Sequence, residues 1–157
     1  MEKFFEARHK AKKYLRTADH ILTMTYPLVN DPKLLLAVMD NIFLALTNSL
    51  SAILYFERYQ RLIPPFHDNF ESKFNIFKLK VADKYKLDRE YLQCIQEVKE
   101  IIANHKKSPV EFSRKDVFVI CSDKYQMQTV SINQVKSYIS RTKNFIQEVE
   151  GITCKYE

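Results

Sequence analysis

Glycine is nearly missing from this chain: of 157 residues, only Gly151 is one. That lack excludes the P-loop, the dinucleotide fingerprint and the nucleophile elbow, each of which needs glycines at fixed spacing. The physical reason is that only glycine takes positive φ cheaply and lets backbone approach a phosphate closely. The same lack favours helices, which avoid glycine, over sheets, whose tight turns use it. Turns are expected at Asp-Pro, Pro-Pro and Ser-Pro corners that need no positive φ, and Gly151 stands where a helix terminator would. A phosphate, if bound, is expected to be held by Lys and Arg side chains or helix ends.

Cysteine is sparse as well. Cys94, Cys121 and Cys154 are far apart, and none forms the C-x-x-C pair of a zinc or redox site. They read as reduced thiols, and the chain as cytoplasmic. His9 and His20 are eleven residues apart and no H-x-x-x-H occurs, so neither a metal nor any other cofactor is expected. Glu97 and Glu100 flank Lys99 on what reads as a helix exterior, not as an acid–base pair. The start, Met1-Glu2-Lys3-Phe4-Phe5, turns charged before an apolar run builds, which is unlike a signal peptide.

Positive charge and Phe/Tyr aromatics are abundant. The formal net charge is +6 and the aromatic share 13%, with no tryptophan. Such a balance suits acidic partners, nucleic acid first and anionic membrane next, and equally a well-solvated surface. The length fits one domain, residues 1–157, with a real core.

One apolar run invites a membrane reading: the 23 residues from Leu34 to Phe56 contain a single charge, Asp40. Asp40, Thr47 and Ser51, with Asn41 and Asn48, repeat as a polar stripe. Because these groups are costly in hydrocarbon, the run reads as the central helix of a bundle, with no membrane span.

The periodicity predicts a mainly α protein, an up-and-down bundle of about five helices with one short β-hairpin before the last. The first helix covers about Lys3 to Thr25, with a heptad-like seam of Phe4, Ala11, Ala18, Thr25 and Ala7, Tyr14, Ile21, Leu28, and ends at Tyr26-Pro27. Asp31 and Pro32 open the second, which runs to about Arg61 before Pro64-Pro65. A third starts near His67 or Asp68 and carries Phe70, Phe74, Phe77, Val81 and Tyr85. Asp88 caps a fourth, with Tyr91, Ile95, Val98, Ile102 and His105 on one face, which closes at Ser108-Pro109. The segment from Ser108 to Asp116 reads as a connector. Val117–Cys121, a turn at Ser122-Asp123-Lys124 and Tyr125–Val130 form the hairpin. Ser131 and Gln134 make a capping box for the last helix, whose inner face is Ile132, Val135, Ile139, Thr142, Phe145 and Val149.

The helix Ala7-Arg8…Ala18-Asp19-His20-Ile21-Leu22, then the apolar helix around Asn41-Ile42-Phe43-Leu44-Ala45-Leu46-Thr47-Asn48, then further helices, resembles the HEPN superfamily of helical nucleotide- and RNA-associated domains. The resemblance covers about the first 150 residues. It implies a homodimer and, in active members, a metal-independent ribonuclease with an Arg, four to six residues, then a His. There the His moves a proton at the ribose 2′-hydroxyl or leaving oxygen, and the Arg stabilises phosphate charge. Arg61-Leu62-Ile63-Pro64-Pro65-Phe66-His67 matches by spacing, on both sides of a proline corner. The other reading is that Arg61 ends one helix and His67 begins the next. In the family the motif usually lies later, around the third and fourth helices. There this chain reads Asn104-His105-Lys106-Lys107-Ser108, with no arginine four to six residues before His105, as expected of a non-catalytic relative.

The basic faces therefore carry the functional expectation. Arg8, Lys12, Lys13 and Arg16 on the first helix, with Lys106, Lys107, Arg114 and Lys115 further on, are the candidate phosphate contacts. Tyr14, Tyr59 and Tyr85 stand among basic residues, where they stack bases or pack the rim. The expected function is a non-catalytic HEPN-like module that binds RNA, a nucleotide or a protein partner. The alternative is a metal-independent endoribonuclease that uses Arg61 and His67.

Overall fold

The computed structural model describes residues 2–107, 110–114, 117–121 and 127–154. Among the described residues the protein is a mainly α bundle of five helices with a small antiparallel sheet before the last helix.

Helix α1, Glu2–His20, buries Phe4, Ala7, Ala11 and Ala18 as its seam demands. It does not stop at Tyr26-Pro27. A π-type turn over Ile21–Thr25 widens the helix, with the Tyr26 N–H donating to the Ile21 carbonyl, and a last α-turn follows over Tyr26–Val29. Proline clashes with the carbonyl four residues back in a regular helix, and the wider turn makes room for it. The extra residue also shifts the seam. Leu22 and Tyr26 become the buried positions, whereas Leu28, expected inside, is 86% exposed.

Asp31 does not cap α2, Leu34–Tyr59: Lys33 holds the N-cap position without a side-chain bond, and Asp31 instead accepts from the Lys33 N–H at 3.0 Å in the turn that leads into the helix. The helix is long and apolar enough to cross a membrane. In this fold it is the central element, packed against α1 and three further helices. Ala7, Ala11 and Ala18 on one side and Ala45 and Ala52 on the other are all buried, and such small residues let α1 and α2 approach closely. Its polar stripe splits. The Asn41 and Asn48 amides bond the Ala37 and Leu44 carbonyls at 2.8 and 2.7 Å. Ser51 is buried and accepts from Lys73 Nζ at 3.0 Å.

A Schellman motif ends α2, not the prolines. Leu62 N–H donates to the Glu57 carbonyl and Arg61 N–H to the Arg58 carbonyl, both at 3.0 Å. Arg61 has φ 58°, and Asn30 and Lys86 take the same left-handed conformation at 54° and 53°. Three non-glycine residues thus supply the positive φ that the turns were expected to avoid. Gly151, in contrast, lies inside the last helix and terminates nothing.

Helix α3 begins at Phe70, capped by Asn69 accepting from the Ser72 N–H at 2.9 Å, and not by Asp68; it runs to Ile76 and continues as a π-type turn over Phe77–Val81. The turn after it joins α2 through Glu57, which is 1% exposed and bonded by Lys84 Nζ (2.9 Å) and the Tyr85 hydroxyl. Asp88 starts α4, Arg89–Lys107, accepting from the Glu90 N–H at 2.9 Å.

The hairpin pairs β2, Val117–Cys121, with β3, Met127–Ser131. A further strand, β1, Val110–Arg114, lies on the other side of β2, giving the order β1-β2-β3. This segment was expected as a connector; its charged residues hid a strand pattern that pairing to β2 completes. The sheet rests on α4, where Phe118 meets His105 edge-on at 6.4 Å and Asn104 donates to Gln128 at 2.7 Å. The expected turns at Ser108-Pro109 and Ser122-Asp123-Lys124 lie outside the described residues.

Helix α5, Ile132–Thr153, is capped by Ser131, which accepts from the Gln134 N–H at 3.2 Å. The Gln134 side chain completes no capping box; it donates to the Tyr138 hydroxyl at 3.1 Å. Val135, Thr142, Phe145 and Val149 are buried as expected.

Candidate functional site

Where α1 begins and α2 ends, the surface opens into a cleft of about 530 Å³. Tyr55, Arg58 and Tyr59 stand at i, i+3 and i+4 on one face of α2 and form one wall. Lys3 and Phe4 of α1 form another. The Schellman turn then sends the chain back across the helix end, and the proline corner holds it extended, so that Arg61, Pro65, Phe66 and Asp68 close the third side.

The cleft combines aromatic rings with cations. Phe4 anchors it from below, edge-on to Phe56 at 5.5 Å, and is buried. Tyr55 and Phe66 lie 5.7 Å apart at 31°. The ammonium groups of Lys3 and Lys73 stand 5.7 and 5.6 Å from the Tyr55 ring centre. Tyr59 is 58% exposed, the most open of these rings. Arg58 and Arg61 are exposed, and neither pairs with a carboxylate among the described residues. Asp68 is the one acid in the lining. Its hydrogen bond and ion pair with Lys73 hold its carboxyl below the usual carboxylate range.

Of the expected site residues, Arg61 lines this cleft. His67 is exposed and lies between the lining residues Phe66 and Asp68 without lining the cleft itself. The basic face of α1 divides. Arg8 turns toward the end of α5, donating to Thr153 Oγ1 (3.2 Å) and Cys154 Sγ (3.1 Å) and covering the Phe5 ring. Lys12 forms an ion pair with Glu150. Lys13 and Arg16 are exposed, as is Lys106 on α4. Lys115 and the side chains of Lys107 and Arg114 lie outside the described residues. Tyr14 and Tyr85 are half-buried, Tyr85 on Glu57, and of the three tyrosines only Tyr59 stands open.

Glu97 does not sit on a bare exterior. It accepts from the Tyr138 hydroxyl at 3.0 Å across the α4–α5 contact. Burial there pushes Tyr138 up to about 12 and the Cys94 thiol up to about 11. Both are core groups, and neither lines the cleft. Glu6 and His9 form a Glu-x-x-His pair on the exposed side of α1. Among the described residues no three His, Cys, Asp or Glu side chains gather as a metal would need.

Sequence reasoning did not single out Lys3, Tyr55, Arg58 or Phe66. The i, i+3, i+4 spacing of Tyr55, Arg58 and Tyr59 was a usable signal. The return of the chain over the helix end, which brings Phe66 to Tyr55, was not. Comparisons with protein-family models, with curated proteins and with solved structures found no match to this chain.

Proposed function

We propose that this protein is a non-catalytic, HEPN-like helical module that binds RNA or a nucleotide. One observation carries the reading: two arginines without carboxylate partners among the described residues border a cleft lined by aromatic rings. Phosphate is held by such cations in a salt-dependent way, and bases stack on such rings. The exposed Lys13, Arg16 and Lys106 add sequence-independent attraction. Assembly as a homodimer belongs to the same reading, and light scattering coupled to size exclusion tests it.

The test is anisotropy of a labelled single-stranded RNA, titrated over a range of salt. The double substitution Arg58→Ala/Arg61→Ala is expected to weaken binding and to flatten the plot of log affinity against log salt by about 1.4, or roughly 0.7 per lost phosphate contact. Absence of binding at low salt overturns the reading.

A second reading has its own support, since Arg61 lines the cleft beside the loop that carries His67. In a metal-independent endoribonuclease, His67 would move the proton and Arg61 would stabilise the phosphate. RNA cleavage in EDTA that disappears in His67→Ala selects this reading, and binding without cleavage rejects it.

A further inference from the structure

The lining of the cleft points to a narrower ligand than RNA in general. We propose that it takes a nucleoside monophosphate unit, with an unpaired base on Tyr59 and a terminal phosphate on Arg58 and Arg61. This inference rests on the nucleic-acid reading above and names which part of the ligand the cleft holds.

Three observations carry it. The first is size. A cleft of about 530 Å³ lies in the range of pockets for one small molecule, far too small for a duplex. The second is how the rings are used. Tyr55 is already engaged by two ammonium groups and by Phe66. Tyr59 has more than half its surface open, within the same wall as Arg58. A base paired in a duplex presents only its edges, so a ring this exposed suits a base that has left the stack. The third is charge. Lys3, Arg58 and Arg61 contribute three positive charges and Asp68 one negative, so the lining carries a net +2. A terminal monophosphate carries about −1.5 to −2 near neutral pH, whereas an internal phosphodiester carries about −1. The terminal group is the better match, and Asp68, kept ionised by Lys73, disfavours any longer phosphate chain.

That unit occurs as a free nucleotide and at the end of an RNA strand, and the experiment separates the two. One single-stranded oligoribonucleotide is prepared with a 5′-phosphate, with a 3′-phosphate and with hydroxyls at both ends, and as a blunt duplex. Each is titrated against the full chain, with AMP and inorganic phosphate as competitors. A phosphorylated single-stranded end is expected to bind about tenfold more tightly than the hydroxyl form. If the source is the free nucleotide, AMP binds tightly and no end preference appears. In either case AMP competes better than inorganic phosphate, and Tyr59→Ala weakens binding about tenfold without changing the salt slope. Tyr59 is exposed, so its variant is expected to keep the wild-type melting curve. Arg58→Gln, which keeps the side-chain stem, gives an independent loss of the phosphate preference.

If RNA binds but hydroxyl and phosphate ends are equal and AMP does not compete, the inference is overturned while the RNA-binding reading stands. AMP no better than inorganic phosphate, or a Tyr59→Ala variant with wild-type affinity, also overturns it. If neither RNA nor AMP binds at low salt, both fall together.

Discussion

At the scale of single residues, glycine stands where it is not needed and is missing where backbone geometry favours it. Gly151 is helical, exposed, and has open space where a Cβ would stand. Gly151→Ala is therefore expected to raise stability by about 0.5–1 kcal/mol, through a smaller loss of backbone entropy on folding. For a chain of this length that is roughly 1–4 °C in melting temperature. A lower melting temperature would show that Gly151 serves a contact not seen in this fold. At Lys86 the opposite change applies. Its left-handed φ of 53° costs about 1–2 kcal/mol with a side chain. Lys86→Gly removes that strain at an entropic cost of about 0.5–1 kcal/mol, so a small net gain is expected in urea denaturation. Ser49 gives a third case. Its hydroxyl is buried without a partner among the described residues. Ser49→Ala is expected to stabilise by about 1 kcal/mol, because a desolvated, unsatisfied hydroxyl is removed and little volume with it. Neither the strain at Lys86 nor the orphan at Ser49 can be read from a sequence window, since both depend on where the chain goes next.

At the scale of elements, the helix starts were legible and the helix ends less so. Asp88 and Ser131 cap as their residue types suggest, because a side-chain oxygen just before the first turn has a local partner in the next N–H groups, whereas Asp31 bonds the turn ahead of α2 and leaves the N-cap position to Lys33. Asn69 outcompetes the neighbouring Asp68, whose carboxylate is drawn to Lys73. Asn69→Ala is accordingly expected to cost about 1 kcal/mol through loss of the cap. Asp68→Ala is expected to cost less than about 1 kcal/mol, since its carboxylate is largely exposed and the mostly buried Lys73 ammonium keeps Ser51 and the Tyr55 ring as partners. Equal losses in urea denaturation would return the cap to Asp68. The misplaced end of α1 has a definite cause. A heptad count assumes an unbroken α-helix, and the π-type turn before Pro27 adds one residue to the phase. Leu22 and Tyr26 accordingly replace Ile21 and Thr25 as the buried positions, and at the final turn neither Leu28 nor Val29 is covered. The strand β1 was hidden for a related reason. Its alternation, Val110, Phe112, Arg114, is short and interrupted by charge, and only its pairing with β2 makes it a strand.

At the scale of the whole molecule, the mainly α bundle was legible because it rests on periodicities 15 to 25 residues long, as in α2 and α5. The cleft was not, because its walls come from three places that meet only after the chain has folded back over the end of α2. The bundle also holds its halves together through a polar contact that makes a pH prediction possible. Tyr138 on α5 donates to Glu97 on α4 at 3.0 Å and accepts from Gln134 at 3.1 Å, and Tyr91 on α4 meets Glu148 on α5 across the same contact. Desolvation, with Glu97 acting in the same direction, lifts its hydroxyl from an ordinary 10.0 to about 12, and burial lifts the nearby Cys94 thiol from 9.0 to about 11. Below these ordinary values both groups are protonated in the folded and unfolded chain, and their contribution is fully present. Between the ordinary and the raised values the unfolded chain has released protons that the folded chain still holds, so stability falls as pH rises. The melting temperature is therefore expected to stay level from about pH 7 to 8.5, and then to fall steadily through about pH 11 as Cys94 enters its window and then Tyr138 and Tyr91, whose hydroxyl is likewise pushed up to about 12 by burial and Glu148, enter theirs. Tyr138→Phe separates the contributions. It is expected to melt lower near neutral pH, having lost two hydrogen bonds worth about 1 kcal/mol each. Its decline above about pH 10 should be shallower than that of the wild type, since one titrating group has gone. Parallel alkaline limbs for the two proteins would show that the proton is lost from another group, and that the Tyr138 contact opens before the bundle does.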